Sequence, residues 1–346
     1  MTWLVTGAAG YIGGHLMARL RRAGHGVVGL DDLSTGDAAR VPPDVPLVVA
    51  DISDRATITE ALRRHQVTGV MHVAGKKSAP ESILRPTYYY QQNVGGFASL
   101  LEAMRDAQVT RLVFSSSAAV YGVPDTPLVY EESATRPLSP YGQTKLVGEQ
   151  LMEAAGRAYG ISWIALRYFN AVGADSPLLG DRGSANLFPL AFDALATGEP
   201  ITVTGNQFPT IDGTGVRDYV HVADLAEAHA AAARHLDSGP CATVYNVGAG
   251  RGYSVLEVLA TIGGVAGRPV PCRIGPPRTG DAPEVVASID KIGRELDWHP
   301  KRDLLDSVWS AWHARCELSA PAATAPEPAE ASFGRAPGGP APARVA

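Results

Sequence analysis

Trp3-Leu4-Val5-Thr6-Gly7-Ala8-Ala9-Gly10-Tyr11-Ile12-Gly13 decides the fold of this 346-residue chain. A short β-rich run over 3–6 ends in a turn with glycines at 7, 10 and 13, and a helical pattern over 15–23 follows. Glycines at those positions let the backbone approach a pyrophosphate, which then rests against the free amides of a helix N-terminus. The spacing is Gly-x-x-Gly-x-x-Gly rather than Gly-x-Gly-x-x-Gly, and a plain tight turn asks for the same residues. Its place between a strand and a helix favours a dinucleotide, which makes Gly7, Gly10 and Gly13 candidate cofactor residues.

Working outward, 27–30 reads as a second strand ending in Asp31-Asp32. A carboxylate there accepts from ribose hydroxyls and repels a 2′-phosphate, so NAD is expected over NADP; a polar loop start is the alternative. A third strand, 46–50, carries Asp51-Ile52 at its end, and a fourth, 70–74, ends in Gly75-Lys76-Lys77. Helical stretches at 56–64 and 100–107 alternate with them. A fifth strand, 111–114, runs into the serines of 115–117, and a sixth spans 161–168. Repeated βα order predicts an α/β fold with a doubly wound parallel (Rossmann) sheet and ligands at the carboxyl ends of the strands.

Past residue 171 the chain is richer in Gly and Pro loops. Helices are expected at 187–197, 223–236 and 254–262, and strands at 201–204, 243–247 and 270–274. We expect an NAD-binding domain over 1–170, to which later segments return, and a smaller C-terminal α/β substrate domain over 171–318. The Ala/Pro-rich stretch 319–346 cannot bury a core and is expected to be a disordered tail.

Hydrophobic residues make up 45% of the chain, and the formal charge of −5 provides no basic field for nucleic acid. No apolar run approaches the ~18 residues of a membrane helix. The first strand begins too early for a signal peptide, so a soluble, cytoplasmic protein is expected. Cys241, Cys272 and Cys316 are far apart without Cys-x-x-Cys spacing, which suggests reduced thiols and no metal site.

Chemistry is concentrated in Ser139-Pro140-Tyr141-Gly142-Gln143-Thr144-Lys145. Ser139 reads as an N-cap and Pro140 as the first helical residue. Tyr141 and Lys145 then share a helix face, where an ammonium favours phenolate. Lowering a phenol by ~3 pKa units takes about 4 kcal/mol, more than one lysine usually supplies. A cofactor cation would add the rest. Taken alone, such a pair is as readily a surface contact, and the serines at 115–117 as readily form turn hydrogen bonds. Their order along the chain, after a glycine turn and an acidic strand end, is what gives them weight.

These residues resemble the extended short-chain dehydrogenase/reductases over about residues 2–313. The marks are Thr6 to Gly13, Ser115 to Gly122, and Tyr141 with Lys145. Leu166-Arg167-Tyr168-Phe169-Asn170-Ala171-Val172-Gly173 and Asp212-Gly213-Thr214-Gly215-Val216-Arg217-Asp218-Tyr219-Val220-His221-Val222 are similar to the nucleotide-sugar 4-epimerase branch. The resemblance implies that Ser117, Tyr141 and Lys145 are catalytic. It implies that Tyr11, Ile12, Asp31, Asp32, Asp51, Ile52, Val73, Ala74, Lys77, Asn93 and Phe169 line NAD. Ser117, Asn170, Asn186, Leu187, Arg217, Arg278, Asp281 and Val285 would meet the substrate.

The implied reaction is NAD-dependent 4-epimerisation of a UDP-hexose, UDP-galactose to UDP-glucose, through a 4-keto sugar, in a homodimer. Small Val285 would leave room for UDP-N-acetylhexosamines. Thr204 and Phe208 replace aromatic and Tyr residues common in relatives, which keeps UDP-glucuronate or a dTDP-sugar open as the substrate. A 4,6-dehydratase needs an acid where this chain has Ala118 and Ala119. A non-catalytic NAD sensor would have no use for an intact Ser117, Tyr141 and Lys145.

Overall fold

The computed structural model describes residues 1–183, 186–278 and 280–319. The expected tail therefore lies, apart from Ser319, outside the described residues. Seven parallel strands form the larger sheet, in the order Ala242–Val247, Ser162–Tyr168, Arg111–Ser117, Gly69–His72, Thr2–Thr6, Gly26–Asp31, Leu47–Val49. Helices cover both faces, as a parallel sheet requires, and Trp3, Leu4 and Val5 are fully buried between them. On one face Leu16, Met17 and Leu20 of helix Tyr11–Arg22 meet Leu225, Ala228 and Ala232 of helix Val222–Asp237. On the other, Ile58, Leu62, Phe97, Leu100, Met104 and Met152 pack from helices Arg55–Arg64, Gly96–Asp106 and Pro140–Tyr159.

A second sheet runs Gly252–Ser254, Val216–His221, Glu284–Ala287, Leu128–Val129, with Asn170–Val172 also paired to Val216–His221. Strands Ile201–Thr204 and Cys272–Gly275 form a separate pair. Within the larger sheet, Ala242–Val247 lies against Ser162–Tyr168 over six residue pairs, so the chain returns to that sheet after building the second.

The expected elements are present with shifted ends. Ser115 to Ser117 continue their strand, each paired with a residue of Leu166–Tyr168, instead of leaving it at 114. The helix expected at 100–107 begins at Gly96 and follows a π-helical turn, Tyr90–Gly95. Helix Pro140–Tyr159 starts as its sequence dictates. Ser139 Oγ accepts from the Gly142 amide at 3.2 Å, Pro140 takes the first position, and Gly160 closes the helix at φ 70°. Tyr141 and Lys145 are thereby fixed in the first two turns.

Candidate active site

A cleft of about 660 Å³ opens at the carboxyl ends of the larger sheet, where the strand order reverses between Thr2–Thr6 and Gly69–His72. Its floor is the glycine turn. Gly7 sits at φ +69°, and a Cβ there would be 2.8 Å from the Ala74 amide nitrogen. A Cβ on Gly13 would lie 2.0 Å from the Gly7 carbonyl oxygen, so only glycine lets the helix close on the turn. Helix Tyr11–Arg22 has no side-chain cap at Gly10, which leaves its first amides for a ligand.

Asp31 ends its strand at the cleft wall. Its carboxylate accepts from the amides of Ala9 at 3.0 Å and Leu33 at 2.8 Å. Burial raises its pKa and those two donors pull it back. Asp32 accepts from the Ser34 amide and hydroxyl, while Lys76 Nζ donates to Ser34 Oγ at 3.0 Å. Tyr11, Ile12, Ile52, Val73, Ala74 and Lys77 also line this cleft.

Tyr141 and Lys145 enter from the helix Pro140–Tyr159. Burial raises the Tyr141 phenol, and a hydrogen bond with the Ser117 side chain works against the rise. Lys145 is 7% exposed, and burial brings its pKa down to about 8; its ammonium lies 5.1 Å from the centre of the Phe114 ring. This agrees with the sequence expectation that one lysine does not ionise the phenol by itself. Burial drives both groups toward their neutral forms, and a further positive charge is needed to reverse the phenol.

Several residues named from the sequence stand back from the cleft. Asn93 is buried and works from behind, accepting from the Lys76 amide at 2.8 Å and donating to the Lys76 carbonyl and Thr144 hydroxyl. Asp51 accepts from the Ser53 amide at 2.7 Å, and Phe169 packs with Val120, Tyr121, Val129 and Ala287. Asn186 lines the cleft and donates to Asp181 at 2.6 Å. Leu187 begins a helix and packs on the core of the second layer.

The remaining substrate candidates gather on the second sheet. Asp281 lies 3.8 Å from Arg217 and 3.7 Å from Arg278, with Val285 beside Arg217 on the neighbouring strand. Arg217 also donates to the carbonyls of Val216 and Ala282. Asn170 donates to the Asp218 carbonyl at 2.8 Å, which ties the strand after Phe169 to the strand that carries Arg217.

Lys76, Arg40 and Tyr168, which have no role in the sequence analysis, also line the cleft, together with Ser115 and Ser116 of the serine run. Arg40 donates to the Gly180 carbonyl at 2.7 Å. Tyr168 had a signal, since it ends a strand directly beside Ser117.

These residues fit a bound dinucleotide. Side chains at Gly7 and Gly13 would fill the turn, an uncapped helix faces the cleft, and an acidic residue ends the second strand. The NAD dependent epimerase/dehydratase family model matches residues 3–248. The chain is 42% identical to a UDP-glucose 4-epimerase of Azospirillum brasilense over 332 residues, covering 93% of this chain and 95% of that protein. The solved UDP-glucose 4-epimerase of Stenotrophomonas maltophila, with bound NAD and formylated UDP-arabinopyranose, is 40% identical with a TM-score of 0.89. That match covers 92% of this chain and 99% of the other. The Bifidobacterium longum UDP-glucose 4-epimerase, in complex with NAD⁺ and UDP, is 35% identical with a TM-score of 0.86, covering 92% and 98%.

Proposed function

The chain belongs to the NAD dependent epimerase/dehydratase family, and on that footing we propose that it carries out NAD-dependent 4-epimerisation of a UDP-hexose, interconverting UDP-galactose and UDP-glucose. The observation that carries this is Tyr141 with buried Lys145 one turn on, both lining the cleft floored by the three-glycine turn, with the Ser117 side chain opposing the rise that burial gives the phenol. Gly7 to Gly13 and Asp31 hold NAD, which when bound supplies a hydride acceptor, later the donor, and the positive charge the phenol lacks.

Tyr141 as phenolate takes the proton from the sugar 4-hydroxyl and returns it, with Ser117 as the hydrogen-bond partner in between. Lys145, with its pKa near 8, remains largely charged at pH 7. Arg217 and Arg278 hold the diphosphate on the second sheet, leaving the sugar end free to turn over. Val285 as a small residue beside Arg217 admits an N-acetyl group. The division into a cofactor half over 1–170 and a substrate half over 171–318 is supported by the two sheets, with 242–247 returned to the first and 128–129 given to the second. A homodimer rests on the family resemblance; no helix among the described residues is long and apolar enough to cross a membrane.

The test is incubation of the purified protein with UDP-galactose, UDP-N-acetylgalactosamine, UDP-glucuronate and dTDP-glucose separately, without added NAD, followed by proton NMR. UDP-galactose should become UDP-glucose on retained cofactor. Silence with all four, repeated with NAD added, would overturn the reading.

A further inference from the structure

A buried polar chain behind the cleft wall has a fixed direction. His229, in helix Val222–Asp237, is fully buried, and its Nδ1 lies 2.9 Å from the carbonyl oxygen of Leu225. A carbonyl only accepts, so Nδ1 carries the proton. Burial holds the imidazole pKa near 4, which leaves it neutral with Nε2 as an acceptor. The Tyr168 hydroxyl bonds to that Nε2, so its single proton points inward. Ser115 Oγ, 2.7 Å from the same hydroxyl, must then donate to it.

Tyr168 and Ser115 both line the cleft, and Tyr168 is paired across the sheet with Ser117. With its proton committed and one lone pair taken, the phenol has only a second lone pair to present to a ligand. It is also no rival base. Burial raises its pKa strongly, and a charge on Tyr141 raises it further, so Tyr168 stays protonated when Tyr141 ionises.

We propose that Tyr168 is a positioning residue, an acceptor aimed by His229 that takes an N–H of the nicotinamide carboxamide and sets the ring's rotation at the catalytic end of the cleft. The inference rests on the NAD reading above. A sugar hydroxyl can satisfy either a donor or an acceptor, whereas the carboxamide NH₂ only donates, which matches a wall group that only accepts.

The experiment equilibrates full-length protein with equal concentrations of NAD and its 3-acetylpyridine analogue, in which a methyl group replaces the carboxamide NH₂, both in large excess over the cofactor the protein retains. The bound ratio is read by chromatography after denaturation. One hydrogen bond predicts a preference for NAD of about five- to tenfold in the wild type. Tyr168→Phe should lower the ratio by that factor. His229→Leu frees the tyrosine proton and should lower it too, while His229→Gln, whose amide oxygen accepts that proton, should keep the wild-type ratio. A ratio unchanged in Tyr168→Phe overturns the proposal, whether or not KM for the sugar rises. Failure of the wild type to bind either dinucleotide overturns the cofactor reading along with it.

Discussion

Replacing Gly13 by alanine puts a methyl carbon 2.0 Å from the Gly7 carbonyl oxygen, 2.8 Å from its carbon and 2.9 Å from Ala8 Cα. All three are backbone atoms, so no side chain can rotate away. Restoring ordinary contact moves the start of helix Tyr11–Arg22 off the turn by about an ångström, and overpacking of this kind costs about 1–3 kcal/mol. The helix amides proposed to receive the pyrophosphate move with it. At 1.36 kcal/mol per factor of ten, dinucleotide affinity should fall by a factor of about 5 to 160. Dinucleotide content of the purified protein, read from absorbance after denaturation, measures this directly, and the melting temperature should drop by several degrees. Gly264→Ala is the control, because a Cβ there meets nothing within 4 Å and φ is not positive. It should stabilise helix Val255–Ala266 by about 0.5–1 kcal/mol. A Gly13→Ala protein with wild-type cofactor content and melting temperature would refute the reasoning.

Tyr141→Phe should lower turnover of UDP-galactose by a factor of about 10² to 10⁴, the usual span for a lost acid/base, with dinucleotide content unchanged; a loss under tenfold would remove Tyr141 from the mechanism. Val285→Tyr should suppress turnover of UDP-N-acetylgalactosamine at least tenfold more than that of UDP-galactose, measured as a ratio of kcat/KM, on the order of the discrimination a shape change in a pocket supplies. Acid should destabilise the fold. His15 and His229 are held near pKa 4, and His72 and His221 near 3, all by burial. Their folded values lie below the unfolded 6.5, so the unfolded chain binds more protons, and the stability present above pH 6.5 is lost as pH falls toward 4. At pH 5 each costs about 2 kcal/mol. Asp218, raised to about 6, and Asp31 and Glu131, also raised by burial, have the opposite sign as pH falls, and three carboxyls do not offset four imidazoles at about 2 kcal/mol each. Urea midpoints at pH 7.5 and 5 check this; equal midpoints would contradict it.

The parts legible in sequence are those fixed by local chemistry. Ser139, Pro140 and Gly160 mark a helix whose ends need no distant partner, and the turn from Gly7 to Gly13 advertises its own close contacts. The second sheet was not legible. Leu128–Val129, Asn170–Val172, Gly252–Ser254 and Glu284–Ala287 are two to four residues long, too short for alternation to register, and each finds its partner far along the chain. The π-helical turn at Tyr90–Gly95 left no pattern either. In the site, Asn93, expected to line NAD, places both amide protons and one oxygen lone pair on Lys76 and Thr144. Tyr168 was quoted in a motif and given no role, because the partner that orients it, His229, is 61 residues away.

The larger sheet completes itself with Ala242–Val247, and this bears on how the chain is made. Until residue 247 has left the ribosome, Ser162–Tyr168 is an edge, with its outer row of amides and carbonyls unmatched and Ile164, Ala165 and Leu166 ready to pair with any other strand. The helix Val222–Asp237, which covers Leu16, Met17 and Leu20, also arrives late. Synthesis must therefore lay down strands Asn170–Val172, Ile201–Thr204 and Val216–His221 before the larger sheet can close. A fragment ending near residue 170 should emerge as an aggregating species rather than a small dinucleotide-binding protein.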